Sequence, residues 1–209
     1  MQIRIRWRVR RKNFLYSCHY LFFFIGFAAL GFCVLAYLDA ALFQAYESRR
    51  FAKALKPAAT SGRRIPGIAA VAAARDGSII GKIEIPRLGV SAMVAEGVEP
   101  HTLELAAGHI PGTSFPGQPG NVAIAGHRDT FFRNLRKIRT HDLIRLTTLS
   151  GSYDYSVESM RVVGPDDVEV LKASGEPTLT LVTCFPFYYV GPAPERFVVR
   201  ARQITGPAA

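Results

Sequence analysis

Thr178-Leu179-Thr180-Leu181-Val182-Thr183-Cys184 is the stretch from which the domain can be read. Threonine and valine favour extended backbone, and polar and apolar residues alternate, so the run predicts a short strand. Alternation puts Leu179, Leu181 and Thr183 on one face and Thr180, Val182 and Cys184 on the other. Phe185-Pro186 follows, and proline cannot donate to a sheet ladder, which predicts the strand's end at Cys184. A thiol is thereby placed at the rim of a sheet, held firmly yet reachable. A free cysteine in that position is either a small buried hydrophobe or a functional group.

Working outward, residues 78 to about 203 carry short strand patterns between turn signals. Strands are expected at residues 79–85, 121–125, 143–149, 153–163, 178–184 and 196–202, with Gly- and Pro-rich connections at 111–120 and 191–192. Helical pattern is confined to two short pieces, near 100–107 and 130–138. In the second, Phe131, Leu135 and Ile138 recur at helical spacing. Many short strands with few helices predict a mainly β domain, a small barrel or sandwich with one core. No internal repeat or heptad pattern is evident.

The N-terminal part has another character. Six of the chain's ten net positive charges lie in residues 1–12 (Arg4, Arg6, Arg8, Arg10, Arg11 and Lys12), leaving the remainder only mildly basic and giving no reason to expect nucleic-acid binding. Residues 14–38 contain no Asp, Glu, Lys or Arg. As a helix they would span roughly 37 Å, enough to cross a hydrocarbon core of about 30 Å with some tilt. Tyr16, Tyr20 and Tyr37 lie towards the ends, where amphipathic rings suit the interface. The span is longer than a signal-peptide core, and no small-x-small cleavage site closes it. The expected layout is a cytoplasmic basic segment (1–13), a transmembrane helix (14–38), a wet juxtamembrane helix and a spacer rich in Ala, Gly, Pro and Arg (39–77, the spacer from 57), and an extracytoplasmic domain (78–206).

Of three cysteines, Cys18 and Cys33 lie inside the proposed span, so Cys184 is the exported domain's lone thiol. It cannot pair within that domain, and a structural zinc site of the cysteine-rich kind is excluded. Catalysis by a thiolate calls for a histidine to exchange the proton and a donor for the developing oxyanion. His101 and His141 lie in polar surroundings and read as surface residues. His109, in a loop before Ile110-Pro111-Gly112, is a second candidate. His127 ends the strand-like run Asn121–Gly126, as Cys184 ends its own. Arg196 opens the alternating run 196–202. If 178–184 and 196–202 are antiparallel neighbours, Arg196 faces Cys184, and a guanidinium stays charged and offers several donors.

These residues resemble the sortase family. Leu181-Val182-Thr183-Cys184 is similar to the Thr-Leu-x-Thr-Cys signature, Gly126-His127-Arg128 to the histidine strand end, and Arg196-Phe197-Val198-Val199 to the arginine strand. The segments from Gly126 to Phe132 and from Cys184 to Arg196 resemble class D sortases in particular. The resemblance covers about residues 78–204 and shows no departure at the three catalytic positions. It implies a mixed eight-stranded β-barrel and a cysteine transpeptidase without a cofactor. By resemblance Cys184 attacks the peptide carbonyl at a C-terminal sorting motif of the Leu-Pro-x-Thr-Gly type or a variant. His127 protonates the leaving amine and deprotonates the incoming one, Arg196 holds substrate and oxyanion, and Thr183 helps position substrate. Partners would be secreted proteins bearing the sorting signal and an amine on a cell-wall precursor or a pilin lysine.

Two other readings compete with this one. L,D-transpeptidases also use Cys, His and Arg, but with a Ser-His-Gly-Cys-like run that Val182-Thr183 does not match. An anchored binding module with an inert cysteine is the non-enzymatic alternative. Arg128, Arg133, Arg136, Lys137 and Arg139 form either a solvated helix face or a patch for anionic lipid or a pyrophosphate-bearing precursor. Asp166, Asp167 and Glu169 could contribute to a calcium site, as in some sortases, although EF-hand spacing is absent.

Overall fold

The computed structural model describes residues 3–61, 76–173, 175–189 and 191–206. The chain falls into two compact units, Met1–Leu42 and Phe43–Ala209. Helix α1, Ile3–Ser61, runs through the first and into the second. Within it, Tyr16–Leu55 is long and apolar enough to cross a bilayer. Its large side chains, such as Phe22, Phe27 and Phe32, are exposed. Most of the spacer expected at 57–77 lies outside the described residues, and α1 covers its start.

The second unit is built on eight strands among the described residues: β1 Ile79–Ile85, β2 Val90–Glu96, β3 Ala107–His109, β4 Asn121–Ala125, β5 Leu143–Thr148, β6 Gly151–Val163, β7 Thr178–Phe185 and β8 Glu195–Thr205. They close into a barrel in the order β1-β2-β3-β4-β7-β8-β6-β5. The β2–β3 and β4–β7 pairs are parallel and the others antiparallel. Closure removes the exposed edges that an open sheet would present. The mixed eight-stranded barrel with few helices and one N-terminal apolar helix is the architecture expected from the sequence.

Helix α2, Pro100–Leu105, starts at its proline, whose fixed φ and missing N–H suit a first helical position. The second helical piece is a short 3₁₀ helix, Arg133–Lys137, rather than an α-helix over 130–138. Its apolar side chains still point inward, with Phe132 and Leu135 fully buried. Ile83, Ile85, Ile124, Leu146, Leu179, Leu181 and Val199 fill the barrel. Leu179 and Leu181 share a face, as alternation in the opening stretch requires. Thr178 and Thr180, on the other face, are buried too. Asn121 Oδ1 accepts from Thr178 Oγ1 (3.2 Å) and Thr180 Oγ1 (2.8 Å), while Asn121 Nδ2 donates to Val170 O (3.3 Å) and Leu171 O (3.1 Å). One buried amide thus fastens the 3₁₀ turn Val168–Leu171 across β4 and β7 and answers the polar groups that this cover buries.

The juxtamembrane helix is not simply wet, as the sequence suggested. Within the second unit Gln44 Nε2 donates to Leu105 O (2.7 Å) and Gln44 Oε1 accepts from the Met93 amide (2.8 Å). β3 joins β2 only from Val94 onward, so Gln44 supplies the Met93 N–H with the partner that β3 does not. Phe51, two turns on, is buried. Glu47, Ser48 and Leu55 on the same helix face are half-buried, and Arg49, Arg50 and Lys53 are exposed.

Candidate active site

Strand β7 lies between β4 and β8; Cys184 is on β7, Arg196 on β8 and His127 two residues past the end of β4. In the antiparallel β7–β8 pair Cys184 is directly opposite Arg196, and the strand runs one residue further, with Phe185 opposite Glu195. Pro186 then stops it, and the Phe185–Pro186 peptide is cis. In the parallel β4–β7 pair Ala125 is level with Val182. The Gly126 amide continues the ladder by donating to Val182 O (3.1 Å). His127 therefore leaves the sheet level with Cys184. Side chains of Cys184, His127 and Arg196 are each half-buried, and Cys184 is a free thiol.

The histidine loop is held by contacts that explain its composition. Thr183 is 2% exposed and its hydroxyl donates to Gly126 O (2.7 Å). The Phe132 amide donates to His127 O (3.1 Å). The Phe132 ring is wholly buried against Gly126, where a Cβ would come within 2.7 Å of it. Glycine before His127 is thus a steric necessity rather than a turn requirement.

On the other side, Arg196 Nη1 donates to Ala193 O (3.2 Å) and Glu195 O (3.0 Å). These bonds orient the guanidinium on its own loop, and with five N–H donors it keeps three for an incoming oxygen. Phe185, Phe187 and Phe197 form an aromatic cluster below, with centroids 5.4–6.4 Å apart. Phe187 and Phe197 pack on the barrel core, so the ends of β7 and β8 rest on a firm base.

The remaining histidines stand apart. His101 and His141 are exposed, His101 beside Glu104 (3.8 Å). His109 belongs to β3 rather than a loop and is 1% exposed. Its Nδ1 lies 2.7 Å from Glu96 Oε2, its Nε2 3.0 Å from Ser114 O and 3.1 Å from Thr113 Oγ1, and its ring stacks on Phe115. It fastens the 110–115 loop beneath the surface, out of a peptide's reach.

The basic cluster divides. Arg133, Lys137 and Arg139 are exposed. Arg128 instead donates from Nη1 to Pro186 O (2.9 Å) and from Nη2 to Tyr189 O (2.7 Å) and Gly191 O (3.0 Å). Arg136 donates to the Tyr188 hydroxyl and stands over its ring, 5.3 Å from the centroid. Arg128 is a support near the site that sequence reading did not single out, and Asn121, level with Thr178 at the far end of β4, is one for the barrel. Their partners are mostly backbone carbonyls, which carry no side-chain signature.

Among the described residues no three His, Cys, Asp or Glu side chains come together as a metal site. Of the acidic trio, Asp167 caps a 3₁₀ turn through the Glu169 amide (3.2 Å) and Glu169 pairs with Lys172 (2.6 Å).

Residues 83–204 match the family model of the sortase domain. The chain is 32% identical over 130 residues to sortase D of Bacillus subtilis strain 168, a match covering 62% of this chain and 66% of that protein. It is 29% identical over 111 residues to sortase A of Listeria monocytogenes, covering 51% of this chain and 50% of the other. These matches thus span only half to two thirds of each relative. Among solved structures, the sortase D5 transpeptidase of Clostridium perfringens superposes with a TM-score of 0.61 at 31% identity, over 74% of this chain and 98% of that one. Sortase A of Corynebacterium diphtheriae gives 0.58 at 31% identity, over 62% of each.

Proposed function

The chain belongs to the sortase family, and on that premise we propose that it is a membrane-anchored cysteine transpeptidase with Cys184 as nucleophile, His127 as proton carrier and Arg196 as oxyanion donor. The observation that carries the reading is the arrangement of these three residues at adjacent ends of β4, β7 and β8, with Cys184 central and opposite Arg196. Cys184 gives its proton to His127, and the thiolate attacks the carbonyl carbon of the scissile amide, forming a C–S bond while Arg196 donors meet the oxyanion. The C–N bond then breaks, and His127 delivers a proton to the leaving amine. An incoming amine forms a new C–N bond at the thioester carbonyl, His127 takes its proton, and the C–S bond breaks to release the Cys184 thiolate. Thr183 has its hydroxyl committed to Gly126 O, so it positions substrate through the backbone of the nucleophile strand.

The substrates on this reading are secreted proteins with a C-terminal sorting motif of the Leu-Pro-x-Thr-Gly type or a variant, and the acceptor is an amine of a cell-wall precursor or a pilin lysine. No cofactor is required by this chemistry. The anchor is the apolar part of α1, with the basic N-terminal flank in the cytoplasm and the barrel outside. Residues 44–55 pack one face on the barrel, which supports a membrane span that ends before them.

The test is intact mass of the full chain in detergent, mixed with peptides containing Leu-Pro-x-Thr-Gly cores. A covalent adduct that is discharged by hydroxylamine or triglycine is expected, and none should form in Cys184→Ala. Peptide cleavage by Cys184→Ala at the wild-type rate would end the assignment.

A further inference from the structure

Of the segment that follows the nucleophile, residues 186–189 and 191–194 have no regular secondary structure, and beyond Phe187, which packs on the barrel core, little of it is buried. Tyr188 is 79% exposed, and Tyr189 is exposed too. Beyond Phe187, what holds it is polar and comes from the segment that follows His127. Arg128, the next residue after that histidine, places one guanidinium against three backbone carbonyls 58–63 residues away, those of Pro186, Tyr189 and Gly191. Its Cζ also stands 5.9 Å from the Tyr189 ring centroid. Arg136 adds the hydroxyl and ring of Tyr188. A planar fork with several donors can satisfy carbonyls arranged around it, and charge-assisted bonds are stronger than neutral ones.

We propose that Arg128 is a positioning residue for the reaction: its guanidinium latches the segment after Cys184 to the segment carrying His127. The latch fixes the spacing of thiol and imidazole and shapes the wall that a bound peptide meets. Pro186, the first carbonyl in the latch, is two residues from Cys184, and Arg128 is covalently next to His127. Slack in either segment changes the separation of the reacting groups directly. Arg128 acts through these two segments rather than on substrate. The inference rests on the transpeptidase reading, in which Cys184 and His127 act together.

The test compares the full-length chain in detergent micelles with Arg128→Ala, Arg128→Lys and, as a control, Arg133→Ala, whose arginine is exposed. Each is assayed for transfer from a pool of Leu-Pro-x-Thr-Gly peptides to triglycine, for amide hydrogen exchange in residues 187–191 and for thermal unfolding. A misplacement of about 1 Å costs on the order of 100-fold in rate. Arg128→Ala is therefore expected to lose about 10- to 100-fold in kcat/KM, chiefly in kcat. Exchange at 187–191 should accelerate while the barrel's unfolding temperature holds, and millimolar methylguanidinium should restore part of the lost rate. Arg128→Lys keeps the charge but not the fork and should stay impaired, whereas Arg133→Ala should match wild type.

Wild-type rates in Arg128→Ala, or a rate loss with unchanged exchange at 187–191, would overturn the proposal. If Arg128→Ala does not fold, Arg128→Lys decides: full activity there overturns the latch, and impaired kcat with faster local exchange supports it. If wild type itself yields neither transfer nor a Cys184 adduct, the transpeptidase reading fails on its own. The latch is then judged by exchange alone, with unchanged protection in Arg128→Ala counting against it.

Discussion

Gly126 is where one methyl group decides most. A Cβ there would lie 2.7 Å from the buried Phe132 ring, in an interior too dense to yield freely. Gly126→Ala is expected to cost about 1–3 kcal/mol, the usual range for overpacking, and to displace His127, whose carbonyl the Phe132 amide holds. Urea unfolding together with transfer rates checks both effects, and Phe132→Leu in the same chain should recover part of each. Thr183 gives a second probe, because its buried hydroxyl is matched to Gly126 O. Thr183→Val leaves that carbonyl without its partner and should cost about 1–3 kcal/mol, while Thr183→Ser should stay near wild type in urea midpoint. At Arg196 the charge alone does not suffice on the proposed mechanism. Arg196→Lys loses the planar fork that is oriented on Ala193 O and Glu195 O, so turnover should fall by about 10²-fold or more, the scale of a lost oxyanion donor. Unaltered turnover in Arg196→Lys would remove Arg196 from the oxyanion role.

Strands that alternate, or that follow clear turn signals, were legible: β1, β4, β5, β6, β7 and β8 all coincide with sequence expectations to within a few residues. β2 was not, because six of its seven residues are buried and its pattern therefore has no period of two. β3 has three residues, too few for any pattern. Missing β3 also hid the burial of His109, which read as a loop residue. Catalytic candidates at strand ends were visible because a thiol, an imidazole and a guanidinium are chemically distinctive. The supports from Asn121 and Arg128 were not, since backbone carbonyls far along the chain answer them. A tie between elements also gives a pH prediction. Arg87, in the 3₁₀ turn Pro86–Leu88, pairs with Asp142, the buried residue before β5, and Arg87 Nη2 donates to Lys137 O (2.7 Å). The Arg87 guanidinium hydrogen bond, helped by the Arg139 amide, holds the Asp142 carboxyl below its ordinary value against the opposing effect of burial. With the folded value depressed, the unfolded chain binds protons first as acid is added. The tie's contribution is full above the ordinary aspartate range, about 3.9, and fades as pH falls towards the folded value. Arg87→Ala should flatten this acid limb in a plot of urea midpoint against pH; an unchanged slope would place the acid sensitivity elsewhere.

At the scale of the whole chain the compact unit Phe43–Ala209 begins inside α1, not at the first strand. Sequence reading set the domain's start at residue 78, yet Gln44 bridges the Met93 amide and Leu105 O, and Phe51 is buried. A chain shortened to begin at residue 77 loses those contacts. One that begins at residue 43 keeps them. Burying one phenylalanine contributes about 1.5–3 kcal/mol, and two net hydrogen bonds contribute about 1 kcal/mol each. Water solvates the freed Met93 N–H and Leu105 O once the helix is gone, which makes the hydrogen-bond share the less secure part of the difference. For a domain of this size, 1 kcal/mol corresponds to roughly 2–4 °C in Tm. On the Phe51 share alone, the chain starting at 77 should therefore melt roughly 3–12 °C below the chain starting at 43. Two substitutions in the longer chain apportion the effect. Phe51→Ala should account for most of the difference, whereas Gln44→Ala leaves Met93 N–H covered by a helix that no longer answers it and should cost about 1–3 kcal/mol, more than the net hydrogen bonds lost on shortening. Equal melting of the two shortened chains would mean that residues 43–61 contribute nothing to the barrel's stability and would return the domain boundary to residue 78.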